Sequence, residues 1–134
     1  MGKVCSLKEN KIVIIKEGKM FIKKIMIDLD GVLNEYGKEP FDENYIPEIK
    51  SGVEKFLKEL KTPDTDLYLF TTRNLLLAAK WLERNKIDKY FKDVTNVKSM
   101  AYLYIDDRAI RFDGDFSKTI NEIKNFRADW KKAK

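Results

Sequence analysis

The 134-residue sequence contains no histidine, and this absence removes several function classes at once. Imidazole-based zinc sites, Ser-His-Asp triads and histidine general bases are excluded, so any catalysis has to run on carboxylates, hydroxyls, amines or a thiol. Cysteine occurs once, as Cys5 in a polar segment; it has no internal disulfide partner and reads as inert. Long apolar runs are missing too. Ile12-Val13-Ile14-Ile15 and Ile25-Met26-Ile27 fall far short of the roughly 20 residues that cross a bilayer. The first run is flanked by Lys8, Glu9 and Lys11 before it and Lys16, Glu17 and Lys19 after it, without a small-residue cleavage site, which is not the pattern of a secretory leader. Together these features predict a cytoplasmic protein with no membrane partner.

What remains is the composition of a folded domain. Hydrophobic residues make up 43% and charged residues 37% of the chain, a globular balance, and the length allows one hydrophobic core. The net charge of +5, spread along the chain apart from the tail Lys131-Lys132-Ala133-Lys134, suits an anionic substrate and equally suits a solvated surface.

Hydrophobic patterning sets out the order of elements. Residues 11–16 form a strand-like run, Glu17-Gly18 a turn, and 20–28 a second strand ending at Asp28. Residues 1–19 are expected to be an N-terminal extension and 20–134 a single α/β domain. The irregular stretch 34–50, with Gly37, Pro40, Pro47 and the aromatics Tyr36, Phe41 and Tyr45, is long for a connection and reads as a flap. Ser51-Gly52-Val53-Glu54 has capping-box spacing ahead of a helix whose apolar stripe runs Ile49, Val53, Phe56, Leu57 and Leu60. Thr62-Pro63-Asp64 ends that helix. A strand at Leu67–Phe70 ends in Thr71-Thr72-Arg73, and a helix over 74–85 turns Leu75, Ala78, Ala79 and Leu82 inward, with Trp81 packed on its face. Val94 sits in a short strand, a buried strand spans Tyr102–Ile105, and a last helix carries Phe116, Ile120, Ile123, Arg127 and Trp130. Apolar strands alternating with amphipathic helices predict a three-layer, Rossmann-like parallel sheet with helices on both faces.

In such sheets ligands bind outside the carboxyl ends of the strands. That edge collects Asp28, Asp30 and Gly31 from one strand, Thr71, Thr72 and Arg73 from another, and Asp106 and Asp107 from a third, with Lys98 in the loop before it. A nucleophile, crowded carboxylates that call for a hard cation such as Mg²⁺, and donors for phosphate oxygens together suit phosphoryl transfer.

The ordered pattern Asp28-x-Asp30-Gly31-Val32-Leu33, an apolar strand to Thr71, then Lys98, then Ile105-Asp106-Asp107 resembles the haloacid dehalogenase-like superfamily. All four of its motifs occur in sequence, covering roughly residues 23–112; Ser99 stands where many relatives carry proline. The resemblance implies that Asp28 is the nucleophile of an aspartyl-phosphate intermediate and a Mg²⁺ ligand. Asp30 would be the general acid and base, its backbone carbonyl a further ligand. Thr71, or Thr72 beside it, and Lys98 would hold the phosphoryl oxygens, and Asp106, or else Asp107, would complete the metal site. An acid at position 30 favours phosphoester chemistry over dehalogenation, because an alkoxide leaves only with a proton. The intervals Leu33–Ser51 and Arg73–Lys98 are too short for a cap domain, so the resemblance is to small capless members.

The expected activity is therefore a Mg²⁺-dependent phosphatase acting on a small phosphorylated substrate. One alternative is a nucleotide or polynucleotide-end phosphatase, for which the charge and the aromatic flap are suited. Another is a non-enzymatic phosphate-binding or phosphoacceptor domain. Signalling receivers use the same residue types, but their acidic pair comes first in the chain, whereas Asp106-Asp107 comes last. Arg73 is read as a substrate contact or a helix start, and Arg108 and Arg111 as surface residues.

Overall fold

The computed structural model describes residues 21–128 and Trp130. The expected strand at 11–16, Cys5 and the 131–134 tail lie outside the described residues. The run of apolar residues in Lys23–Asp28 forms strand β1, in which Ile25, Met26 and Ile27 are all buried. Such a run, apolar on both faces, is what an interior parallel strand requires. It lies between β2 (Thr65–Phe70) on one side and β4 (Leu103–Ile105) on the other, with β3 (Phe91–Thr95) beyond β2. Every pairing is parallel, in the order β3-β2-β1-β4, so the chain is an α/β domain compatible with a Rossmann-like fold.

Helix α1 (Val53–Leu60) links β1 to β2, and α2 (Leu75–Arg84) links β2 to β3. Both pack on the same sheet face: Ile25, Ile27, Leu67 and Leu69 share one core cluster with Val53, Leu57, Ala78, Trp81 and Leu82. This agrees with two right-handed crossovers running in one direction. The capping box expected at Ser51–Glu54 does not form. Gly52, left-handed at φ 88°, occupies the N-cap with no side-chain bond, and Glu54 accepts from the Tyr90 hydroxyl instead, at 3.2 Å. Phe56 of the expected stripe stays 39% exposed. Helix α2 is capped as its sequence suggests, with the Asn74 side chain accepting from Leu77 N at 3.0 Å.

Two expectations at the C-terminal side are corrected. The strand near Tyr102 is not buried: among the described residues β4 pairs only with β1, at the edge of the sheet, and Leu103 and Tyr104 are 38% and 44% exposed. Helix α3 (Phe116–Lys124), capped by Asp115, ends before Arg127 and Trp130 and contains no buried residue. Its apolar stripe is real, but the core it would join lies under α1 and α2.

The stretch 34–50 is tied at its base. Asn34 and Ile49 form an antiparallel bridge, Glu35 N donates to Glu48 O and Lys50 N to Leu33 O, and Trp81 Nε1 reaches the Pro47 carbonyl at 3.1 Å. The flap therefore rests on the α2 side of the core. Among the described residues no helix is long and apolar enough to cross a membrane.

Candidate functional site

From β1 the chain crosses over to β2 in one direction, and β4 returns to the other side of β1. The carboxyl end of β1 is thus a topological switch point, where neighbouring connections diverge and leave a crevice. Register places the acids there. Ile27 pairs with Ile105 and Asp28 with Phe70, so Asp28 and Asp106 emerge abreast from adjacent strands, with Thr71 leaving the next.

Asp28, Asp106 and Asp107 each offer a carboxylate oxygen within 4.8 Å of the other two. The electrostatic consequence is large: burial first, then the charges of Asp106, Asp107 and Asp30, push the Asp28 carboxyl up to about 7, against a smaller opposing hydrogen bond from the Leu29 amide. Asp106 Oδ1 accepts from Arg108 N at 2.8 Å, and its Oδ2 lies 3.7 Å from Lys98 Nζ. Asp107 Oδ2 accepts from Trp130 Nε1, while its Oδ1 is buried with no hydrogen-bond partner among the described residues. A buried carboxylate oxygen without a donor is costly. A hard divalent cation bound by oxygens would satisfy it and relieve the mutual repulsion, so this donor set fits Mg²⁺.

Asp30 stands outside that triad and is held separately. Its Oδ2 receives Arg73 Nε at 2.8 Å and its Oδ1 receives Asn34 Nδ2 at 3.0 Å. Asn34, fully buried, also accepts from the amides of Gly31 and Tyr36 at 3.1 and 3.2 Å. Lys50 Nζ donates to the Gly31 carbonyl at 2.9 Å. These contacts shape the tight turn after Asp28.

A cavity of about 220 Å³ opens over the strand ends, lined by Asp28, Asp30, Asp106, Thr71 and Thr72 together with Tyr36, Phe41 and Arg108. Thr71 is buried and its hydroxyl accepts from Arg73 N at 3.1 Å, whereas Thr72 is exposed to the cavity. The structure therefore brings Asp28, Asp30, Thr71, Thr72 and Asp106 to one cavity and sets Asp107 against Asp28 and Asp106. Lys98 is placed differently. It sits by Asp106, half exposed, over the Phe70 and Tyr104 rings at 5.4 and 5.2 Å, and is not among the described residues that line the cavity.

Three residues belong to the site that sequence reasoning missed or misjudged. Asn34 carried no signal beyond its place three residues after Gly31. Arg73 is a buried partner of Asp30, with its side chain only 3% exposed, and not simply a helix start. Trp130, expected on a helix face, instead packs edge-on against Tyr36 at 5.1 Å and supports Asp107. Two glycines make room for it. A Cβ on Gly37 would lie 2.6 Å from Trp130 Cε3, and one on Gly31, itself at φ +88°, would collide with Asp107 Oδ2.

No known family profile matches the chain, and no curated protein matches its sequence. Among solved structures it is similar to a conserved protein encoded by a locus of Bacteroides thetaiotaomicron, with a TM-score of 0.52 at 23% identity over 78% of this chain and 91% of that one. At that identity the likeness speaks for the shared α/β fold.

Proposed function

We propose that this protein is a Mg²⁺-dependent phosphomonoesterase of the haloacid dehalogenase-like type. The observation that carries the reading is the arrangement at the switch point. Three carboxylates meet within 4.8 Å, and a cavity of about 220 Å³ above them is lined by two threonines and a fourth, separately held acid. The side chains of Asp28, Asp106 and Asp107 would hold the cation, with the Asp30 carbonyl as the family resemblance implies. Bound there, Mg²⁺ would supply positive charge to offset the phosphate oxygens and the crowded carboxylates.

The chain's own residues account for the rest. Asp28, at the mouth of β1, attacks phosphorus through a carboxylate oxygen, the phosphorus–oxygen bond to the leaving group breaks, and Asp30 protonates the departing alkoxide. Asp30 then takes a proton from the water that hydrolyses the acyl phosphate, returning Asp28 and releasing inorganic phosphate. The Thr72 hydroxyl and amide suit the phosphoryl oxygens, since the flanking amides of Thr71 and Arg73 already donate to Thr95 O and Thr71 Oγ1.

The test is hydrolysis of p-nitrophenyl phosphate with and without Mg²⁺, by the parent chain and by Asp28→Asn. Turnover that requires Mg²⁺ and falls at least ~10³-fold in the variant is expected for loss of a nucleophile. A variant as active as the parent would overturn the assignment.

A further inference from the structure

Arg73 joins three parts of the site through one guanidinium. Its Nε binds Asp30 Oδ2 at 2.8 Å, and its Nη1 binds the flap carbonyls of Asp42 at 2.9 Å and Glu43 at 3.4 Å. Its plane lies over the Phe41 ring at 4.8 Å. Its own amide is tied to Thr71 Oγ1, which anchors the residue to the end of β2. A guanidinium presents its donors in a rigid planar fork. The flap carbonyls therefore cannot shift independently of the Nε–H that orients the Asp30 carboxylate. The remaining Asp30 oxygen is held by Asn34, at the base of the same flap. Phe41 and Tyr36, also on the flap, line the same cavity as Asp30, so a substrate that presses on them acts on the same linkage.

We propose that Arg73 is a positioning residue that couples the seating of flap residues 41–43 to the placement of the Asp30 carboxylate, so that the acid–base group is in working position only while the flap is seated. The inference rests on the phosphatase reading above for what Asp30 does, but the mechanical coupling stands apart from it. Arg73 itself is not among the described residues that line the cavity over Asp28, so its role needs no contact with substrate.

Two measurements on the 134-residue chain test this, using Arg73→Gln, Arg73→Lys, Asp30→Asn and the Arg73→Gln/Asp30→Asn double variant, each first checked for folding by near-ultraviolet circular dichroism. With p-nitrophenyl phosphate and Mg²⁺, Arg73→Gln is expected to lower kcat at least ~10-fold with KM changed less than about 3-fold, and Arg73→Lys to recover part of the loss. On the Asp30→Asn background the same substitution should cost less than about 2-fold more, because its effect passes through Asp30. Losses that multiply, a rise in KM at constant kcat, or an Arg73→Gln variant as active as the parent would each overturn the proposal.

The second measurement is independent of activity. The Tyr45 amide donates to the Asp42 carbonyl, which Arg73 also grips, so its hydrogen exchange reports the seating of the flap. Arg73→Gln and Asp30→Asn should both speed that exchange while leaving β2 amides unchanged. If Asp30→Asn leaves Tyr45 exchange at the parental rate, the coupling is absent. Should the parent chain release no p-nitrophenol, the phosphatase reading falls, and hydrogen exchange alone decides the coupling.

Discussion

Replacing Asp28 by Asn should make the cation-free protein more stable at alkaline pH, and the size of the effect follows from the site's electrostatics. The Asp28 carboxyl titrates at about 7 in the folded chain against an ordinary value of 3.8, with burial as the largest cause and Asp106, Asp107 and Asp30 adding repulsion. Below pH 3.8 both folded and unfolded chains keep this proton and no cost arises. Between 3.8 and about 7 the unfolded chain has lost the proton that the folded chain retains, so stability falls as pH rises. Above about 7 the cost is present in full. At about 1.4 kcal/mol for each tenfold difference in proton affinity, the unscreened cost is about 4 kcal/mol. Asp28 is only partly buried, and solvent screening brings this to about 2 kcal/mol. Asn carries no charge to bury or repel, so Asp28→Asn in EDTA should melt about 6 °C above the parent at pH 8. The gap should narrow steadily towards pH 4. Mg²⁺ should raise the melting temperature of the parent more than that of the variant, because the cation offsets the same repulsion. Thermal melts at four pH values, with EDTA and with Mg²⁺, read all of this. An Asp28→Asn variant no more stable than the parent at pH 8, or a gap that does not change with pH, would refute the reasoning.

Further substitutions probe the frame around the acids. Gly31→Ala places a Cβ against Asp107 Oδ2 at a φ of +88° and should cost about 2 kcal/mol, seen by denaturant unfolding, and weaken Mg²⁺ binding in a calorimetric titration. Asn34→Ala strips the buried partner from Asp30 and from the Gly31 and Tyr36 amides. It should lower stability by about 3 kcal/mol in denaturant unfolding, since two of the groups left behind are backbone donors.

The parts of the fold and site that could be read from the chain share one property: each depends on residues close together in sequence. β1 appears as a short apolar run because it buries Ile25, Met26 and Ile27 on both faces, β2 turns Leu67 and Leu69 to the core, and α2 has its Asn74 cap and its inward Ala78 and Leu82 within a few turns. Asp28, Thr71 and Asp106 were legible as neighbours because each immediately follows such a run, and a parallel sheet brings the ends of its strands to one edge. Local signals misled where tertiary context overrode them. The Ser51–Glu54 pattern promised a capping box, yet left-handed Gly52 took the cap. The helical spacing that runs in sequence through Arg127 and Trp130 is realised only as far as Lys124.

Other features needed the chain to be folded back on itself. Arg73 meets Asp30 across 43 positions and Trp130 meets Asp107 across 23, and nothing in either neighbourhood marks the pairing. The switch point beside β1 follows from strand order, and strand order depends on how the whole sheet assembles. The sequence by itself therefore determined which acids and hydroxyls arrive at the sheet edge, because strand periodicity is local. Only the tertiary structure decided that three of the acids crowd together while Asp30 is held apart by Asn34 and Arg73, because burial and long-range pairing assign each carboxylate its partners.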